Sequence, residues 1–230
     1  MPYFYLDKYY LILVVPAIIL SLVAQMLVKK TYGKWSRVRN SRNITGAMAA
    51  QRVLSYYGIN NVQIGQSSGK LSDHYDPRSN IIRLSPEVYS GSSIAAVGIA
   101  CHEAGHAAQH AENYLPIKIR NKILPIANLG SSFGVMLAVI GYFLGFGILV
   151  DIGIVLFASV VAFQLITLPV EFNASRRAVN VISETQLLLS EEQSGAKKVL
   201  TAAAMTYVAS LLVSVASLLR LILRFNNRRR

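Results

Sequence analysis

A chain of 230 residues with 53% hydrophobic and only 15% charged side chains falls well short of the charge content of a soluble domain, about a quarter of residues, which argues against an ordinary soluble globular protein. The net charge of +12 invites a nucleic-acid reading, but the basic residues cluster beside apolar runs, as anchors for anionic lipid headgroups do. A nucleic-acid binder needs a basic face with interleaved aromatics on a soluble fold, so the expected partner is the lipid bilayer and not nucleic acid. The single cysteine, Cys101, allows no intrachain disulfide and gives no sign of an oxidising compartment.

In chain order, residues 9–28 (YYLILVVPAIILSLVAQMLV) carry no charge and are long enough to cross the hydrocarbon as a helix. The neutral Asp7–Lys8 start and the long apolar part fit a retained anchor better than a cleaved signal. Lys29, Lys30, Lys34, Arg37 and Arg39 follow without an acid, the pattern of a cytoplasmic flank. Residues 43–58 predict an amphipathic helix capped by Asn43 or Thr45 and stopped by Gly58. Short strands are predicted at 62–64, around Leu71, and at 81–84, with DPRSN at 76–80 as the turn before the last. A helix capped by Ser92 or Ser93 comes next.

Residues 126–170 hold one acid, Asp151, and no base. That run suits two crossings turned around residues 145–151, with Gly and Ser for close helix packing. Residues 199–219 predict a fourth span before the basic tail. Bulk charge places the loops holding Lys118, Arg120, Lys122, Arg176, Arg177, Lys197 and Lys198 on the cytoplasmic side of the cell membrane, although four spans then leave the Arg-rich tail outside. The expected divisions are an anchor (1–28), a cytoplasmic-side region with the histidine motif (29–125), a helix pair (126–170), a polar helix and loop (171–198), and a last span with basic tail (199–230).

The chemistry sits in CHEAGHAAQHAE, residues 101–112. On a helix His102 and His106 project from nearly one face, one turn apart, and two imidazoles so placed can reach one Zn²⁺. Glu103 falls beside them, positioned to take a proton from water and not to ligate. The bland alternative is a polar patch, but unpaired polar groups in a buried-looking helix are costly. Cys101 points about 100° away from His102 and reads as a small buried apolar residue.

Catalytic zinc usually takes a third protein ligand. His110 continues the stripe, but Ala107, Ala108 and Gln109 keep the helix running and carry it away from the ion. Glu171, in LPVEFNASRRAV, is the better candidate: it is the first carboxylate after a long apolar stretch and begins a polar-faced segment with Asn173, Ser175, Arg176 and Arg177. The competing reading is an interfacial helix whose charges merely meet headgroups.

HEAGHAAQ with EFNASRRA, and DPRSNIIRLS before them, resembles the YugP-like neutral membrane zinc metallopeptidases over nearly the whole chain, and more distantly the HtpX-type membrane gluzincins. The resemblance implies zinc held by His102, His106 and Glu171, with Glu103 as catalytic base. The HtpX-type pattern carries an Asp where this chain has Ser175, whose hydroxyl is expected to hydrogen-bond a motif histidine instead. The expected fold is a mainly α integral membrane protein of about four transmembrane helices, with a zincin-like catalytic helix and a small β element. The expected activity is hydrolysis of peptides or membrane proteins. An extended substrate is expected along the edge of the strand containing Ile81, Ile82 and Arg83, and His74, Arg176 or Arg177 near the reacting carbonyl. The rival from another class is a zinc-stabilised scaffold or adaptor that cleaves nothing.

Overall fold

The computed structural model describes residues 7–226, excluding the side chain of Asn226; the basic tail at 227–230 and the first six residues of the predicted anchor lie outside this range. Eight α-helices and three strands are present among the described residues: α1 (Val15–Trp35, continuing a π-helical turn at Tyr10–Val14), α2 (Gly46–Tyr56), β1 (Gln63–Gln66), β2 (His74–Asp76), β3 (Ile81–Leu84), α3 (Pro86–Tyr89), α4 (Ile94–Ala111), α5 (Leu115–Leu129), α6 (Val135–Leu144), α7 (Gly147–Glu184) and α8 (Ser190–Asn226). Four helical stretches are long and apolar enough to cross a membrane: Tyr10–Trp35, Leu115–Leu144, Gly147–Glu184 and Ser190–Phe225. The predicted class therefore holds: this is a multi-pass, mainly α membrane protein with a small sheet.

The chain divides into two compact units, one of Met1–Gln25, Pro116–Pro169 and Met205–Arg230, the other of Met26–Leu115 and Val170–Ala204. Within the first unit, α6 and the start of α7 form a tight antiparallel pair that reverses at Gly145, in the left-handed region with φ +76°. The turn is shorter than the predicted 145–151 because α7 already begins at Gly147. The pair closes because Gly153 has no Cβ: one built there would lie 2.5 Å from both Ala138 N and Gly134 O. At the end of this unit Asp7 ion-pairs with Arg220 (2.9 Å) and with Arg224, and the Arg220 guanidinium lies over the Tyr10 ring. The start of the first span and the end of the last thus share one end of the unit, as an even number of crossings requires.

The second unit has a conventional core. In α2, Ala49, Ala50, Val53 and Leu54 recur at helical spacing and are fully buried against α4, each Leu or Val contributing about 1.5–3 kcal/mol by its removal from water. Thr45 caps this helix through Oγ1, which accepts from Met48 N–H, and Gly58 follows it with φ +66°. Helix α4 is small and apolar on almost every side, so it lies inside, capped by Ser93, whose Oγ accepts from Ala96 N–H. It stops where Asn113 turns left-handed (φ +59°) and Tyr114 N–H returns to Gln109 O, an αL C-cap of the kind Asn tolerates.

The sheet order is β1-β3-β2, β1 parallel and β2 antiparallel to β3. Two expectations are corrected here. The segment around Leu71 is not a strand: Leu71 is exposed with φ +53°, and the strand comes at His74–Asp76, where Asp76 accepts from Arg78 N–H and Ser79 Oγ to close the DPRSN turn. Ile81, Ile82 and Arg83 do not offer an edge to substrate, since β3 is the central strand, paired on both sides, and Ile82 is fully buried.

Candidate metal centre

Helix α4 carries His102 and His106 one turn apart, and their rings meet edge to face with centroids 4.7 Å apart. Opposite them the stretch of α7 from Val170 presents Glu171, 5% exposed. Its Oε2 lies 3.3 Å from His102 Nε2 and 3.6 Å from His106 Nε2. One ligand atom from each of the three residues falls within 4.8 Å of the others, and they form the one such group among the described residues. A tetrahedral ion with bonds of about 2.0–2.2 Å spaces its ligand atoms about 3.3–3.6 Å apart, so the donor set and its spacing fit zinc. Both imidazole side chains keep some exposure, 16% and 13%, against 6% for the carboxylate.

What brings the two helices this close is Gly105. A Cβ on it would lie 2.8 Å from Ala174 O and 3.3 Å from Ala174 Cα. Gly105→Ala is therefore expected to lower stability by about 1–3 kcal/mol from overpacking, more than the roughly 1 kcal/mol that alanine's helix propensity returns. A drop in the thermal unfolding midpoint would register it; a rise would show that the helices can separate freely.

The second ring nitrogen of each histidine is also engaged. His102 Nδ1 lies 3.1 Å from Ser175 Oγ, and His106 Nδ1 lies 3.0 Å from Gln109 Oε1, the kind of partner that orients a metal-binding imidazole. Burial disfavours a charged His106, but the Glu171 hydrogen bond and the Glu103 and Glu171 charges outweigh it and hold its pKa above the ordinary imidazole value; the cluster favours a cation. Glu103 stands outside the ligand group, and its Oε2 accepts from the Tyr75 backbone N–H of β2 at 3.1 Å.

The family model described as "putative neutral zinc metallopeptidase" matches residues 10–226. The chain belongs to this family. It is also 45% identical over 220 residues, 96% of this chain and 98% of the relative, to the "Putative membrane protease YugP" of Bacillus subtilis (strain 168). No solved structure matches it.

Seen as a zinc metallopeptidase, the chain brings together part of the predicted set. His110 is not in the ligand group; its ring packs against Tyr75 with centroids 5.5 Å apart. Cys101 is fully buried, which pushes its thiol up and out of use as a thiolate. Arg176 is exposed. Arg177 is committed elsewhere: its Nη2 lies 2.7 Å from Glu112 Oε2, its Nε donates to Asn173 Oδ1 at 2.8 Å, and its guanidinium lies over Tyr57. His74 Nδ1 lies 2.8 Å from Ser72 O on the exposed side of β2. Sequence reasoning passed over Gln109 as a mere continuation of the helix. A fully buried amide in an alanine-rich helix, one turn after a motif histidine, was the available signal, because burying it unpaired is costly.

Proposed function

We propose that this multi-pass zinc metallopeptidase is an endopeptidase of gluzincin type, with His102, His106 and Glu171 as ligands, Glu103 as general base, and the site on the cytoplasmic side. The observation that carries this is the convergence of both Nε2 atoms on one Glu171 carboxylate oxygen, with Glu103 beside them and outside the group. When bound, zinc supplies a Lewis acid that acidifies water and polarises a peptide carbonyl. The protein's own part is positional. The Tyr75 N–H fixes one oxygen of Glu103, leaving the other to accept a proton from the attacking water and return it to the departing amine. Ser175 and Gln109 hold the imidazole planes. The Lys and Arg residues at the end of α1 (Lys29, Lys30, Lys34) and in the first half of α5 (Lys118, Arg120, Lys122) support the cytoplasmic assignment. The substrate is proposed to be a membrane protein or its exposed tail, since the ligand carboxylate belongs to a helix of spanning length.

The purified chain in detergent is expected to carry about one zinc and to cleave a bilayer-anchored peptide. Chelation should remove both metal and cleavage, and added zinc should restore them. Metal analysis with no zinc, or cleavage indifferent to chelation, would sink the reading; cleavage confined to unanchored soluble peptides would remove the membrane substrate alone.

A further inference from the structure

The two motif histidines are supported by different chemistry. We propose that Gln109 is a positioning residue that locks His106 into the tautomer protonated on Nδ1, and that Ser175 imposes no such choice on His102. The inference rests on the proposed metal centre and adds to it an unequal preparation of its two nitrogen ligands.

The lock follows from groups whose roles are unambiguous. Val170 O can only accept, and it lies 2.8 Å from Gln109 Nε2. Arg177 Nε can only donate, and it lies 2.8 Å from Asn173 Oδ1. That same oxygen is 3.0 Å from Gln109 Nε2, so Gln109 must donate to it as well. Both ends of the chain of bonds therefore demand the amide nitrogen on the α7 side, which leaves Oε1 facing His106 Nδ1 at 3.0 Å. An amide oxygen only accepts, so Nδ1 carries the hydrogen and the neutral ring keeps its Nε2 lone pair for an ion. Gln109 is fully buried, so bulk water does not compete for these bonds. Arg177 is itself held by Glu112, just past the end of α4, tying the lock to both helices.

His102 has no equivalent. Its Nδ1 meets the Ser175 hydroxyl at 3.1 Å, and a hydroxyl donates or accepts with equal ease. The hydroxyl is satisfied by either His102 tautomer, so it does not impose the one that presents Nε2 to an ion, and in the metal-free site the Glu171 carboxylate 3.3 Å from His102 Nε2 favours a proton on that nitrogen. Asn173 and Arg177, on this account, serve the metal site by setting the polarity of one buried amide.

The test uses the full chain in detergent with ¹⁵N-labelled histidine rings, metal-free and at a pH above the titration of both rings. The expected spectrum shows His106 in the Nδ1–H form alone and His102 with a population protonated on Nε2. In Gln109→Met, of similar length but without donor or acceptor, His106 should populate both tautomers, and the zinc dissociation constant measured against a competing chelator should rise about 10- to 100-fold. Gln109→Glu, which keeps an oxygen on Nδ1, should retain the single tautomer. Ser175→Ala should weaken zinc binding less than Gln109→Met. A wild-type His106 that is mixed or protonated on Nε2 overturns the proposal without any variant having to fold. So does a single Nδ1–H form at His102, or a larger loss from Ser175→Ala. Ring tautomers of metal-free protein report the lock, and zinc uptake by wild type reports the metal centre, so failure of one is distinguishable from failure of the other.

Discussion

Glu103→Gln is expected to reduce kcat for peptide hydrolysis about 100- to 10,000-fold while leaving zinc content at the wild-type level. Glu103 follows His102 directly on α4 yet stands outside the ligand group, so its loss should not release metal. The substitution is nearly isosteric, and the new amide oxygen can still accept the Tyr75 N–H that Glu103 Oε2 receives at 3.1 Å. The fold and the position of the side chain should therefore survive. What disappears is the capacity to take up a proton near neutral pH. Steady-state kinetics paired with metal analysis measure the two quantities separately. Turnover above about a tenth of wild type would remove Glu103 from the base role, and unchanged function in a zinc-replete variant would favour the scaffold reading.

Removing the third ligand should have the opposite signature. Glu171→Ala is expected to weaken zinc binding by more than about 100-fold, beyond what loss of a supporting partner costs, and activity should fall with occupancy. Glu171 Oε2 is the atom on which both imidazoles converge, at 3.3 and 3.6 Å, and it brings the negative charge that favours a cation there. Without it two neutral rings face each other at 4.7 Å between centroids with nothing to offset the ion's charge. Competition against a chelator of known affinity gives the number. A loss smaller than about tenfold would mean that the third ligand comes from another side chain, although His110, the sequence alternative, is packed on Tyr75.

Much of the fold was legible where the governing interactions are local. Thr45 and Ser93 cap their helices as their hydroxyls and positions suggest. The four apolar runs are long enough to span by composition alone, and all four appear as helices. The small sheet was only partly legible. Ile81–Leu84 was recognisable from its β-branched residues, but His74–Asp76 is short and polar and is a strand because β3 and Glu103 receive its backbone groups. Nor does a stretch of sequence say whether a strand is central or at an edge; β3 proved central because β1 returns parallel to it from the other side.

The site divides along the same line. By itself the sequence determined that His102 and His106 share a helix face with Glu103 alongside, since a 3.6-residue period is a property of the backbone and needs no partner, and it set the greasy lengths that make this a membrane protein. Only the tertiary structure decided that Glu171 completes the group, that Arg177 turns to Glu112 and Asn173 instead of to a substrate, and that Gln109 holds one ring. Those outcomes depend on how closely α4 and α7 approach at Gly105 and Ala174, a distance set by packing between residues far apart in the chain, which no local pattern encodes.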